Sequence, residues 1–149
     1  MSRALVVHSD PYVAQTLDKY LSKRGIEVLM TDDPEGIYSL IDEKENFIPV
    51  LVVISLQLHE DGWLLAYQKV TRRFPEAKIL ISTKSSDPNL LMRAKVHGAK
   101  YFLREPFTEE GLLHGLSRMA KADRADHEFK SRLPEIKLFS LNICLFRKR

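Results

Sequence analysis

At 149 residues, with 44% hydrophobic and 29% charged residues, the chain suits one compact domain with a tail and is too ordinary in composition to be fibrous or disordered. Its net charge of +3 is unevenly placed, since residues 121–149 hold eight Lys/Arg against four Asp/Glu while the remainder hold fifteen against sixteen. No apolar run approaches the roughly 20 residues that span a bilayer and no charged-then-apolar leader opens the chain, so a cytoplasmic protein is expected. The single Cys144, between Ile143 and Leu145, fits a reducing compartment and reads as a buried thiol rather than a reactive one.

Ala4-Leu5-Val6-Val7 reads as a short strand ending at His8-Ser9-Asp10-Pro11. Val13, Leu17, Tyr20 and Leu21 then recur at helical spacing until Gly25. Ile26 to Met30 is a second strand, and Asp33-Pro34 opens a second helix through Ile37, Leu40 and Ile41. The continuous apolar run Val50 to Ile54 has the character of a central strand covered on both faces. A loop from Ser55 to Gly62 precedes a helix with Trp63, Leu64, Leu65, Tyr67 and Val70, which stops before Pro75. Ile79 to Ile81 is a fourth strand, and Asp87-Pro88 opens a fourth helix that Gly98 ends. Tyr101 to Leu103 is a fifth strand, and Pro106 and Thr108 lead to a helix carrying Leu112, Leu113, Leu116 and Met119.

Five strands alternating with five helices predict an α/β fold with a doubly wound parallel sheet. The three Asp-Pro pairs mark helix starts, with Asp as N-cap and Pro at the first helical position. Ligands of such sheets bind beyond the carboxyl ends of the strands, here the loops that begin at His8, Ser55, Ser82 and Arg104.

Residues 3–120 resemble the receiver domain of bacterial two-component response regulators. The stretch from Val6 to Pro11, Asp61-Gly62-Trp63, and Gly98-Ala99 followed by Glu105-Pro106-Phe107 all sit at that family's spacing. The resemblance implies a flavodoxin-like sheet of strand order 2-1-3-4-5. It further implies an acid pair after strand one that binds Mg²⁺, a phosphoacceptor Asp after strand three, a Ser/Thr after strand four, and a Lys before a Pro after strand five. In this chain His8 and Ser9 fall on the acid pair. Asp10 remains and reads as a helix cap. Ser55 falls on the phosphoacceptor if the following loop is one residue shorter, and Ile54 falls there without a gap. Thr83 matches the hydroxyl position, or Ser82 after a small shift. Glu105 stands where the lysine belongs, and Phe102 falls on an aromatic that rotates on activation in the family.

Without a carboxylate nucleophile or metal charge, transfer of a phosphoryl group to Ser55 is unfavourable, and Glu105 would repel the phosphate that a lysine attracts. The expectation is therefore a degenerate, pseudo-receiver form with no metal, no cofactor and no enzymatic activity. It would act as a protein-interaction or dimerisation module in a bacterial signalling pathway. By resemblance its contact face is formed by helix four, strand five and helix five, with Tyr101, Arg93 and Arg118 among its residues. His8 and Glu105 both project from the carboxyl edge, where His8 is either solvated or forms an imidazolium–carboxylate pair with Glu105, a pair sensitive to pH because His titrates near neutrality; the Glu105-Pro106 bond is expected to be cis as in the family.

Two rivals remain at this point. In one, Ser55, Asp10 or Asp61 still accepts phosphate by an unusual route; in the other, the basic tail 121–149 binds nucleic acid. Within that tail, residues 121–132 suit either an extension of the last helix or a linker, and Leu133-Pro134 breaks the pattern. The apolar segment Ile136 to Phe146 suits packing on the core, docking on a partner, or the start of a longer protein.

Overall fold

The first strand of the computed structural model, β1 (Ser2–Val7), pairs in parallel on both sides, with β2 (Ile26–Thr31) and with β3 (Leu51–Ser55). Beyond β3 lie β4 (Lys78–Thr83) and then β5 (Tyr101–Arg104), which completes a five-stranded parallel sheet of order 2-1-3-4-5. The structure describes residues 2–132, and side chains as far as residue 122. Cys144, Leu133-Pro134 and the segment Ile136 to Phe146 lie outside the described residues.

Helices connect the strands: α1 (Pro11–Ser22), α2 (Ile37–Asp42), α3 (Gly62–Arg73) and α4 (Pro88–Val96). Each Asp-Pro pair acts in the same way. Asp10, Asp33 and Asp87 accept from the backbone N–H two residues on, at 2.9, 3.0 and 3.0 Å, and the following Pro, which has no N–H to satisfy, occupies the first turn. Asp33-Pro34 opens a 3-10 turn, Pro34–Gly36, before the α-helix proper begins at Ile37, so α2 is shorter than the apolar spacing predicts. Gly25 and Gly98 take φ of +78° and +108° and turn the chain out of α1 and α4, a conformation glycine adopts without a Cβ clash.

The alternation of β1 sends its side chains to two faces. Leu5 and Val7 join Ile37, Ile41, Val52, Ile54, Trp63, Val70, Ile81 and Ala94 in one buried cluster beneath α2, α3 and α4. Ala4, Val6 and Val53 point to the opposite face, where α1 contributes Ala14, Leu17 and Leu21, all buried. At roughly 1.5–3 kcal/mol per fully buried aliphatic side chain, these two layers supply most of what holds the strand ends in place. The fully buried β3 fits its unbroken apolar sequence.

The last helix, α5 (Glu109–Arg132), runs on through 121–132, the stretch that suited either a helix extension or a linker. Its first turn carries Glu109 and Glu110, the favourable sign for a helix N-terminus. Among the described residues, no helix is long and apolar enough to cross a membrane.

Candidate functional site at the carboxyl edge of the sheet

The ladders run one bond past several strand ends, and this places the site. His8 N–H donates to Thr31 O at 3.0 Å, Leu56 N–H to Ser82 O at 2.8 Å and Glu105 N–H to Thr83 O at 2.8 Å. Parallel register sets Ser55 beside Ser82, and Thr83 beside Arg104. Side chains from four strand ends therefore converge on one edge by backbone geometry alone.

His8 and Glu105, 97 positions apart, meet there. Nε2 of His8 lies 3.0 Å from Oε2 of Glu105, and the same oxygen accepts from Ser82 Oγ at 2.5 Å. All three residues are buried, at 5%, 6% and 0% exposure. The charge state follows from a third contact, in which the Asp10 backbone N–H donates to His8 Nδ1 at 3.0 Å. A backbone N–H can only donate, so Nδ1 must offer its lone pair and the ring hydrogen must sit on Nε2. The contact is thus a neutral imidazole donating to a carboxylate. It is not the imidazolium–carboxylate pair that the residue types allow, because a hydrogen on Nδ1 would face the hydrogen of Asp10. The short hydroxyl contact fits a charge-assisted bond to an ionised Glu105. Oε1 of Glu105 is buried and without a hydrogen-bond partner among the described residues, so the carboxylate is held on one oxygen only.

The other half of the edge is closed by a residue that the sequence did not single out. Gln57 donates through Nε2 to Thr83 Oγ1 at 3.0 Å, and its Oε1 accepts from the Lys84 backbone N–H at 3.0 Å. Thr83 Oγ1 also accepts from Ser85 N–H at 3.0 Å, and Ser55 Oγ accepts from Gln57 N–H at 3.2 Å. A glutamine in a turn carries no local signature for this reach. Ser55 ends β3 and is fully buried, as is Ile54 before it, whose neighbours across the ladder are Val7 and Ile81.

Ser9 is exposed, and Asp10 caps α1 through the Tyr12 N–H. Mg²⁺ takes oxygen donors in near-octahedral geometry, usually with one or two carboxylates. At the end of β1 both His8 nitrogens are engaged and one carboxylate, Asp10, is at hand, so these residues do not fit that ion. Phe102 is half-buried in β5, packs against the core cluster, and has Lys95 Nζ 5.8 Å from its ring centroid. The Glu105-Pro106 peptide bond is cis.

The loop from β3 to α3 holds two consecutive left-handed residues, Glu60 and Asp61, at φ of 53° and 57°. Such residues are strained when they are not glycine. Arg93 of α4 grips Asp61 bidentately, with nitrogens 3.1 and 2.9 Å from its two oxygens. Hydrogen bonding from Arg93 holds the Asp61 carboxyl below its usual range, and Asp61 in turn raises the Arg93 guanidinium. Arg93, expected as part of an open contact face, is therefore occupied inside the molecule.

A parallel sheet of this order, with its polar groups gathered at the carboxyl edge, is the flavodoxin-like arrangement that receiver domains share with other α/β proteins. The model of the response regulator receiver domain matches residues 4–117, and the chain belongs to that family. Chemotaxis protein CheY of Thermotoga maritima is 21% identical over 119 residues, covering 80% of this chain and 98% of its own. The CheY-like receiver domain protein of Methanospirillum hungatei superposes with a TM-score of 0.70 at 19% identity, covering 85% of this chain and 98% of that one. NtrX of Brucella abortus superposes with a TM-score of 0.71 at 21% identity, covering 87% of this chain and 29% of that longer one.

Proposed function

We propose that this receiver domain is a pseudo-receiver, a binding module of two-component signalling that works in the cytoplasm without accepting a phosphoryl group and without enzymatic turnover. The observation that carries the reading is the buried His8–Glu105–Ser82 network. An anion already occupies the edge, and its hydrogen-bond donors are committed to it. A phosphoryl group arriving there would meet like charge in a dry setting, with Glu105 at the position where the family's lysine would offset it. Ser55 is a poor substitute for an aspartate, because its oxygen is fully buried and already accepts from Gln57 N–H. Signalling then rests on association, with a partner or with a second copy, through a surface that includes α4 and β5.

Intact-mass analysis after incubation with Mg²⁺ and acetyl phosphate tests this, with a competent receiver alongside as positive control. The expected result is a labelled control and an unmodified chain. A phosphoryl-sized adduct on this chain, mapped to Ser55, Asp10, Asp61 or elsewhere, overturns the proposal.

A further inference from the structure

We infer that the chain forms a two-fold dimer in which β2 pairs antiparallel with β2 of a second copy, the axis passing through Val28. β2 and β5 are the two edges of the sheet, and among the described residues β2 has a strand beside it on one side only. His8 N–H donates to Thr31 O, so Thr31, and by alternation Leu29 and Glu27, turn their backbone groups towards β1. Ile26, Val28 and Met30 turn theirs outward. The devices that blunt an edge strand are missing from β2. Its register with β1 is unbroken from Ile26 to Thr31, which leaves no bulge, and the strand contains no Pro and no Lys. Its one charge, Glu27, is tied to Arg3 at 3.0 Å. β5, in contrast, is four residues long, follows Lys100 and ends on Arg104.

The residues on either side of β2 select the occupant. Lys23 and Arg24 precede the strand and Asp32 and Asp33 follow it, so one end is cationic and the other anionic. Lys23 and Arg24 also have interactions within their own chain; the sign of each end is what counts. An antiparallel copy brings unlike ends together, whereas a parallel copy brings like ends together. The axis is fixed as well. With Val28 opposite its own copy, Ile26 meets Met30, and all the outward residues fall in hydrogen-bonded pairs, about six bonds in total. The same register sets Arg24 opposite Asp32, and Lys23 opposite Asp33, of the second copy. An axis through Glu27 would put two carboxylates face to face, and one through Leu29 would bring Arg24 to Pro34. Met30, 39% exposed, gains apolar cover from Ile26 of the second copy. The contact is self-complementary and closes after two copies, so the edge adds no further strands. A second copy at β2 goes beyond the binding-module reading, since it leaves the surface of α4 and β5 to a different partner and does not depend on whether the chain takes phosphate.

The test uses the full chain in sedimentation velocity from ~10 µM to ~1 mM, with amide hydrogen exchange followed by NMR at both ends of that range. The expected result is a monomer–dimer equilibrium in which the Ile26, Val28 and Met30 amides are protected at the high concentration and exchange readily at the low one. The Glu27, Leu29 and Thr31 amides stay protected at both, because β1 holds them. Val28→Pro removes the N–H at the axis, which no ladder bond of the monomer uses, and Pro is tolerated at such an edge position. It should weaken the dimer about ten-fold or more. Asp32→Lys, at an exposed position outside the strand, should weaken it too, by a factor that shrinks as salt is raised. A chain that stays monomeric up to ~1 mM overturns the inference. So does a dimer that both substitutions leave intact and that leaves the outward amides unprotected, since its contact lies elsewhere. Protection of those amides that does not change on dilution would assign the edge to a strand of the same chain instead.

Discussion

Two halves of one strand edge are closed by different physics. In one network His8 after β1, Ser82 of β4 and Glu105 after β5 are buried and hold a carboxylate in a dry place. In the other the exposed Gln57, after β3, bridges Thr83 and the Lys84 N–H from the edge of solvent. Polar groups in the first network have no water to turn to if a partner is lost, whereas in the second the exposed Gln57 exchanges a protein partner for water at little cost and the buried Thr83 hydroxyl keeps the Ser85 N–H. The first half is therefore a fixed part of the fold, and any residual plasticity of the edge belongs to the second.

The largest expected effect comes from removing the shared acceptor. Glu105→Ala leaves the His8 Nε2–H and the Ser82 hydroxyl without a partner in a buried setting, and should lower unfolding stability by about 3 kcal/mol in urea titrations. A loss below ~1 kcal/mol, the size of one ordinary hydrogen bond, would mean that the network is solvated and that the two halves are alike. Gln57→Ala is expected to cost less than about 1 kcal/mol, with its clearest trace in faster hydrogen exchange at the Lys84 amide. Should it cost as much as Glu105→Ala, the division between the halves disappears from the other direction.

The elements were legible because their signals are local. Asp-Pro at the helix starts, Gly25 and Gly98 at their ends and the apolar run of β3 each report on a few neighbouring residues. The 3-10 turn at Pro34–Gly36 was not, since Asp-Pro marks a helical start without specifying how tightly the first turn is wound. At the site, residue types and family spacing brought His8 and Glu105 together on paper, but not their charge. That depends on the Asp10 backbone N–H, a contact no residue type encodes. Gln57 was invisible for a related reason, because its role arises only once the β4–α4 turn presents the Lys84 N–H opposite it.

The smallest effect sharpens the picture of the plastic half, and concerns the loop that follows β3. Glu60 and Asp61 hold left-handed conformations there, and the grip of Arg93 on Asp61 ties that strained loop to α4. Both side chains are about half exposed, at 47% and 55%, so screening keeps the contribution modest. Its direction is nevertheless defined. Because the folded-state pKa of Asp61 is lowered by its hydrogen bonds from Arg93, the pair contributes fully above the unfolded-state value. That contribution is lost as pH falls through the folded one. Arg93→Ala should move the Asp61 carboxyl titration, followed by NMR, up to the ordinary aspartate range and make the acid limb of the stability curve shallower. An Asp61 midpoint that does not move would show that the loop keeps its shape without α4. If it does move, Arg93 is a tie between the strained loop and α4, and a substitution there reports on loop geometry first.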